Sequence, residues 1–298
     1  MNVPESTKEF KYMKYIDLHV HSNVSDGTMT PTQLVEEAAR NHVAAFALTD
    51  HDTTAGIQEA WQAAKASTLA GHPVEVIAGV EISAEYKDTD IHILGLMINP
   101  EHTALEEALK KALHSRENRN QKMAENLANA GLDISMEQLL DYFGTNAVLT
   151  RAHFATYLYE TKQISSVNEA FRVYLNPQGP YYVPRKYIKP KDAIALIKKA
   201  GGIAVLAHPF VYHLPDEELD ALIANLKRDG LEGLEVFYSS NTGFDEGIAR
   251  RYANKYDLIM TGGSDFHGEN KPLISMGTGR GNLKIPYSVL EKLKQRCS

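Results

Sequence analysis

Cysteine is nearly absent. A single one, Cys297, stands one residue before the end of a 298-residue chain. No intramolecular disulfide can form and no zinc–thiolate site can be built, which fits a reducing compartment. Long apolar runs are missing too: none approaches the length of a membrane span. The opening Met1-Asn2-Val3-Pro4-Glu5-Ser6-Thr7-Lys8 has no apolar h-region, so it is not a secretory signal. Residues 1–13 read as a loosely ordered tail, and the protein as cytoplasmic. Positive charge is in deficit, with Lys+Arg 31 against Asp+Glu 38 and a formal net charge of −7. That argues against an extended grip on duplex nucleic acid, which needs a basic surface, but leaves room for one small basic pocket for a phosphate. Internal repeats and low-complexity segments are also lacking, and the lone Trp61 reads as packing.

What is present in abundance is the ionisable residue at the end of an apolar run. The stretch Tyr15-Ile16-Asp17-Leu18-His19-Val20-His21-Ser22 reads as a strand. Side chains on a strand alternate faces, so Asp17, His19 and His21 are expected on one side and Ile16, Leu18 and Val20 on the other. Two imidazoles at adjacent same-face positions can reach one metal ion, and Asp26, in a turn marked by Gly27, can reach a neighbouring one. Alone, the pattern serves equally as a strand with polar residues near its end.

The rest of the chain repeats the theme. Thr30-Pro31 opens a helix. Val43–Leu48 is an apolar strand ending in Thr49-Asp50-His51-Asp52, and Val74–Val80 is a third strand with Glu81 at its end. A fourth, Asp90–Ile98, carries His92 near its start. The alternation of strand and helix then breaks. Residues 101–188 read as a helical insertion, with a long helix over 101–130, shorter ones near 135–142, 151–161 and 166–174, and a Pro/Gly loop from Asn176 to Arg185. After it come strand Ile203–Ala207 ending in His208, strand Leu234–Phe237, and strand Leu258–Gly262 ending in Ser264-Asp265-Phe266-His267. Strands joined by helices imply an α/β fold with mostly parallel pairing, in which functional groups sit at the C-terminal ends of the strands. The chain thus divides into a barrel part over 1–100, the insertion over 101–188 and a second barrel part over 189–298.

The ordered set Asp17-x-His19-x-His21, Thr49-Asp50-His51, Glu81, His92, Ala207-His208-Pro209 and Ser264-Asp265-Phe266-His267 resembles the PHP (polymerase and histidinol phosphatase) family of metal-dependent phosphoesterases. The resemblance covers the whole chain. It implies a distorted (β/α)7 barrel holding two or three divalent ions. His19, His21, Glu81 and Asp265 would hold one, and Glu81 would bridge to a second completed by His92 and His208. Asp26, His51 and His267 would hold a third. Glu81, Asp265 and His208 count also as catalytic. Imidazole and carboxylate donors suit Mn, Zn, Fe or Mg, with Mn first. Two ions about 3.5–4 Å apart can activate hydroxide for in-line attack on phosphorus, so no protein nucleophile is needed. Asp17, Asp50 and Asp52 are expected to orient imidazoles; for Asp17, a carboxylate tying down the barrel floor is an equal alternative.

The insertion resembles that of the members acting on nucleotides. Thr150-Arg151-Ala152-His153 and Arg116-Glu117-Asn118-Arg119-Asn120 resemble motifs near the substrate phosphate, with Tyr182 and Arg185–Lys186 at the rim. The expected substrate is a small nucleotide: a nucleoside 3′,5′-bisphosphate losing its 3′-phosphate, or a short 5′-phosphorylated oligonucleotide. A guanidinium fork suits a terminal phosphate, although Arg116 and Arg119 on a helix also read as a solvated face. Rival readings are a cyclic phosphodiesterase, a histidinol-phosphate phosphatase, a proofreading exonuclease and a non-catalytic metal-bound scaffold. Oligomeric state is open.

Overall fold

The computed structural model describes residues 14–87, 89–145 and 147–297, so the tail expected over residues 1–13 lies outside them. A 7-stranded sheet takes its strands in chain order: β1 (Tyr15–Val20), β2 (Val43–Leu48), β3 (Glu75–Tyr86), β4 (Thr89–Leu96), β5 (Ile203–Leu206), β6 (Gly233–Tyr238) and β7 (Ile259–Gly263). β4 runs antiparallel to both of its neighbours, and the other pairs are parallel. The sheet closes where the end of β1 meets the segment after β7: Asp265 N donates to His19 O at 2.8 Å and His21 N to Phe266 O at 3.0 Å. The result is a distorted (β/α)7 barrel.

Helices α1 (Pro31–Arg40), α2 (Ile57–Leu69), α7 (Pro190–Lys199), α8 (Asp216–Arg228) and α9 (Asp245–Lys255) cover the outside of the barrel. Local chemistry starts them where the sequence indicates. Thr30 accepts from Gln33 N while the Gln33 side chain accepts from Thr30 N, and Pro31 occupies the first turn. Leu34, Val35 and Ala38 of α1 join Phe46, Val80, Leu206 and Leu234 in the layer between strands and helices. A second cluster fills the barrel: Ile16, Leu18, Ala45, Ile77, Leu94 and Val205 pack on Leu290 and Leu293 of α10 (Ser288–Cys297).

Between β4 and β5 the chain makes α3 (Thr103–Asn129), α4 (Met136–Phe143), α5 (Arg151–Glu160) and α6 (Val167–Glu169). α6 runs on into a π-helical turn, Ala170–Tyr174. These elements share a core of their own around Met123, Leu127, Leu139, Phe154 and Leu158.

Two strand expectations change. β3 does not stop at Glu81; it continues to Tyr86 because β4 returns along it as a hairpin, with Glu81 opposite Leu94 and Ser83 opposite His92. The face alternation of β1 also fails. Its register against β2 shifts between Asp17 and Val20, so Leu18 belongs to the inner cluster and Val20 to the outer one. One extra residue on a strand turns every later side chain over, and Asp17 is thereby separated from His19 and His21.

Candidate metal centre and phosphate pocket

The mouth of the barrel collects the histidines and carboxylates from widely separated strands. His19 and His21 leave the end of β1 with their Nε2 atoms 3.1 Å apart. Glu81 lies between sets of imidazoles. Its Oε2 is 3.1 Å from His21 Nε2 and from His51 Nδ1 and 3.4 Å from His19 Nε2; its Oε1 is 2.7 Å from His92 Nδ1 and 3.0 Å from His208 Nε2. Asp265 Oδ1 is 3.6 Å from His19 and 3.5 Å from His21. On the far side, Asp26 is 3.2 Å from His267 Nε2 and 3.6 Å from His51 Nε2. His92 reaches the cluster from the beginning of its strand because β4 is reversed, so its start lies at the mouth.

The donor set fits divalent cations. Donor atoms within four groups lie no more than 4.8 Å apart: His21, Asp26, His51, His267; His19, His21, Asp265; His19, Glu81, His208; and His51, Glu81, His92. Asp26 Oδ1, His51 Nδ1 and His208 Nδ1 are buried with no hydrogen-bond partner among the described residues, although His51 Nδ1 lies close to Glu81. Burial disfavours charge on these carboxylates, yet the surrounding imidazoles hold Glu81 and Asp26 well below the usual carboxylate range. Burial likewise works against a proton on His19, but Glu235, Glu81 and Asp265 hold its basicity well above the ordinary value. Positive charge is what the cluster demands, and a divalent ion supplies it as a proton does.

Part of the backbone strain lies here. Asp52, His208 and Asp265 adopt φ values of 54°, 24° and 57°, a region that costs non-glycine residues about 1–3 kcal/mol. Gly263 is needed beside them: a Cβ there would stand 2.3 Å from His19 Cβ.

The aspartates expected to orient imidazoles act otherwise. Asp17 accepts from Ser264 N at 2.8 Å, from Ser264 Oγ and from Gly277 N, tying β1 to the segment after β7. Asp50 accepts from Ser22 N and from the hydroxyls of Ser22 and Ser25, and reaches His21 only through Ser25. Asp52 binds the guanidinium groups of Arg116 and Arg185 and accepts from Ser83 N. The imidazole-orienting carboxylate is Glu235, whose Oε1 is 3.0 Å from His19 Nδ1 while its Oε2 accepts from His208 N at 2.7 Å. Sequence reading missed it, though one carboxylate in the otherwise apolar run Leu234–Tyr238 was the signal. Tyr238 and Lys271 were missed as well; both donate to Asp265 Oδ2 and leave Oδ1 facing the histidines.

Next to the cluster lies a cavity of 170 Å³ walled by Arg116, Arg119, Arg151 and Arg185 together with Asp26, His51 and His92. Arg116 is paired with Asp52, and Arg151 with Asp90 at 2.9 Å. Arg119 is buried with no acceptor among the described residues. Burial, then Arg116 and Arg185, push its pKa down to about 9. Three residues grouped with these arginines do not wall the cavity. Asn120 donates to Leu149 O, joining α3 to the approach to α5. His153 is buried, its Nδ1 accepting from Thr150 N as the return bond of a capping box. Tyr182 stands 5.7 Å from the Arg151 guanidinium, under its face.

The chain matches the family model of the PHP domain over residues 17–183, which include His19, His21, Asp26, His51, Glu81 and His92 of the cluster. The chain belongs to the PHP-domain family. Among PHP-domain relatives, a protein of Chromobacterium violaceum named 3′,5′-nucleoside bisphosphate phosphatase is 35% identical over 255 residues, covering 86% of this chain and 88% of that one. The 5′-3′ exoribonuclease Rnm of Escherichia coli is 35% identical over 266 residues, covering 89% of each. A Bifidobacterium adolescentis protein of unproven activity, described as a metal-dependent phosphoesterase, has a solved structure that superposes with a TM-score of 0.81 at 31% identity, covering 95% of this chain and 96% of that one.

Proposed function

We propose that this PHP-domain chain is a metal-dependent phosphoesterase of small nucleotides, which removes the 3′-phosphate of nucleoside 3′,5′-bisphosphates or shortens short 5′-phosphorylated oligonucleotides. One observation carries the reading: a cation-demanding cluster opens directly onto a pocket of guanidinium groups, one of which has no acceptor. Two adjacent sites of this kind suit a substrate with two phosphates. The names of the relatives point the same way.

His19, His21, Glu81 and Asp265 would hold one ion, Glu81 with His92 and His208 a second, and Asp26, His51 and His267 a third. Bound there, divalent ions supply Lewis acidity and an activated water. The chain's own residues do the rest. Glu235 fixes the His19 ring. Tyr238 and Lys271 fix the Asp265 carboxylate. Arg119, with Arg116, Arg151 and Arg185 around it, takes the phosphate that does not react and so positions the ester over the cluster. The insertion, which supplies Arg116, Arg119, Arg151 and Arg185, serves as the lid.

The test is phosphate release by Mn²⁺-loaded enzyme from adenosine 3′,5′-bisphosphate, 5′-AMP, a cyclic phosphodiester, a short 5′-phosphorylated RNA and histidinol phosphate. The bisphosphate or the RNA should be preferred; preference for histidinol phosphate overturns the reading. Arg119→Met should raise KM for the bisphosphate about tenfold or more, the range of a charge-assisted hydrogen bond, and spare an aryl phosphate. Equal loss on both substrates would remove the arginine pocket from the account.

A further inference from the structure

Among the described residues, the exposed large apolar side chains are few, and they are not scattered evenly. Tyr159, Val167, Phe171 and Val211, each 39–45% exposed, all line the same 660 Å³ cleft, whose floor is the histidine–carboxylate cluster. Apolar groups gathered at the mouth of a charged site call for an apolar partner. Neither the phosphates nor the cations account for them.

Phe171 has the most telling position. It lines the cleft and also the arginine cavity, together with His51 and His92, and so stands at the partition between the two. The backbone that presents it is the π-helical turn Ala170–Tyr174, in which Ala170 is buried and Phe171 is turned outward. Such turns are rare and recur at functional sites. In a nucleoside 3′,5′-bisphosphate, the sugar lies between the two phosphates and the base projects from C1′ on its other side. With the phosphates in the two adjacent sites, the sugar spans the partition and the base projects from it within reach of the cleft wall that Phe171 lines.

Resting on the nucleotide reading above, we infer that Phe171, with Tyr159, Val167 and Val211 lining the same cleft, forms a nucleobase platform that selects nucleotides over other bisphosphates. Recognition is by stacking and apolar contact, which every base can satisfy.

The discriminating experiment compares adenosine 3′,5′-bisphosphate with ribose 3,5-bisphosphate, which keeps both phosphates and lacks the base. Phe171→Ala should raise KM for the nucleoside bisphosphate by about 5- to 150-fold, the range base–aromatic stacking spans, and leave kinetics on the abasic compound unchanged. Phe171→Trp should restore the low KM, and its added fluorescence should be quenched by the nucleoside compound and not by the abasic one. Equal effects on both substrates, or no effect on either, overturn the platform while leaving the phosphoesterase reading intact. Release of phosphate from neither compound by the wild-type enzyme overturns both.

Discussion

At the scale of single residues, the site is governed by what each side chain is paired with. Glu235 illustrates it: one carboxylate orients the His19 ring through Nδ1 and the His208 backbone through its N–H. Glu235→Ala should therefore weaken divalent-metal affinity about 10- to 100-fold, the usual cost of losing such a partner, as read by chelator competition. Glu235→Gln, which keeps an acceptor, should recover part of it. His153 obeys the opposite logic. Burial lowers its pKa from 6.5 to about 4, so it is neutral in the fold. Between those values the unfolded chain takes up a proton that the folded chain refuses. Its stabilisation is complete above pH 6.5 and is lost as pH falls through that window, to a total of about 3 kcal/mol. Urea midpoints at pH 7 and pH 4.5 should therefore fall further apart for the wild type than for His153→Gln. Most of the site histidines were legible in sequence because they end apolar strands; His92, near the start of β4, was placed by the resemblance. Glu235 was not singled out, since a lone carboxylate inside an apolar strand is a signal with no spacing behind it. Arg119 was placed near the phosphate by resemblance, but its burial was not legible, because it depends on helix packing across the barrel mouth.

At the scale of elements, sequence periodicity located nearly every helix and strand, and failed where a strand departs from simple alternation. The hydrophobic pattern of β1 reads as a clean period of two, yet its register shift turns His19 away from the face that alternation from Leu18 assigns. No residue type announces that shift; the crowding of Gly263 against His19 accompanies it. Gly263→Ala is expected to destabilise the fold by at least about 1–3 kcal/mol, the cost of overpacking, and to lower metal content in the same variant. Thermal unfolding and metal analysis of the purified protein check both. β4 is the other departure. Its apolar run fixes a strand but not a direction, and only the short hairpin from β3 reveals that it runs backwards.

At the scale of the whole molecule, barrel and insertion meet at a buried charge. Asp52, at the end of the β2 side of the barrel, accepts from Arg116 of α3 and from Arg185 at the exit of the insertion. Burial opposes its charge, and the two guanidinium groups outweigh it and hold the carboxyl well below the usual range. Asp52→Asn would leave both arginines buried and uncompensated. A loss of about 3–5 kcal/mol is expected, with earlier proteolysis between β4 and β5 than elsewhere; limited digestion with mass mapping reads it.

The reversed strand also makes α3 a ruler. Because β4 runs away from the mouth, the chain leaves it at the floor of the barrel, where Asn99 N bonds Ala200 O, and must climb back before it can contribute anything to the site. α3 makes that climb in one piece, gripping the outer layer through Leu105 and Leu109 and delivering Arg116 and Arg119 at the top. From Leu105 to Arg116 a helix rises about 16 Å, and one residue added to that span would lift the arginines by about 1.5 Å and swing them by about 100°. Surface loops away from the site generally tolerate changes in length. The stem of α3 cannot: its residue count is set by the height of the barrel, and its phase decides which side chains face the phosphate.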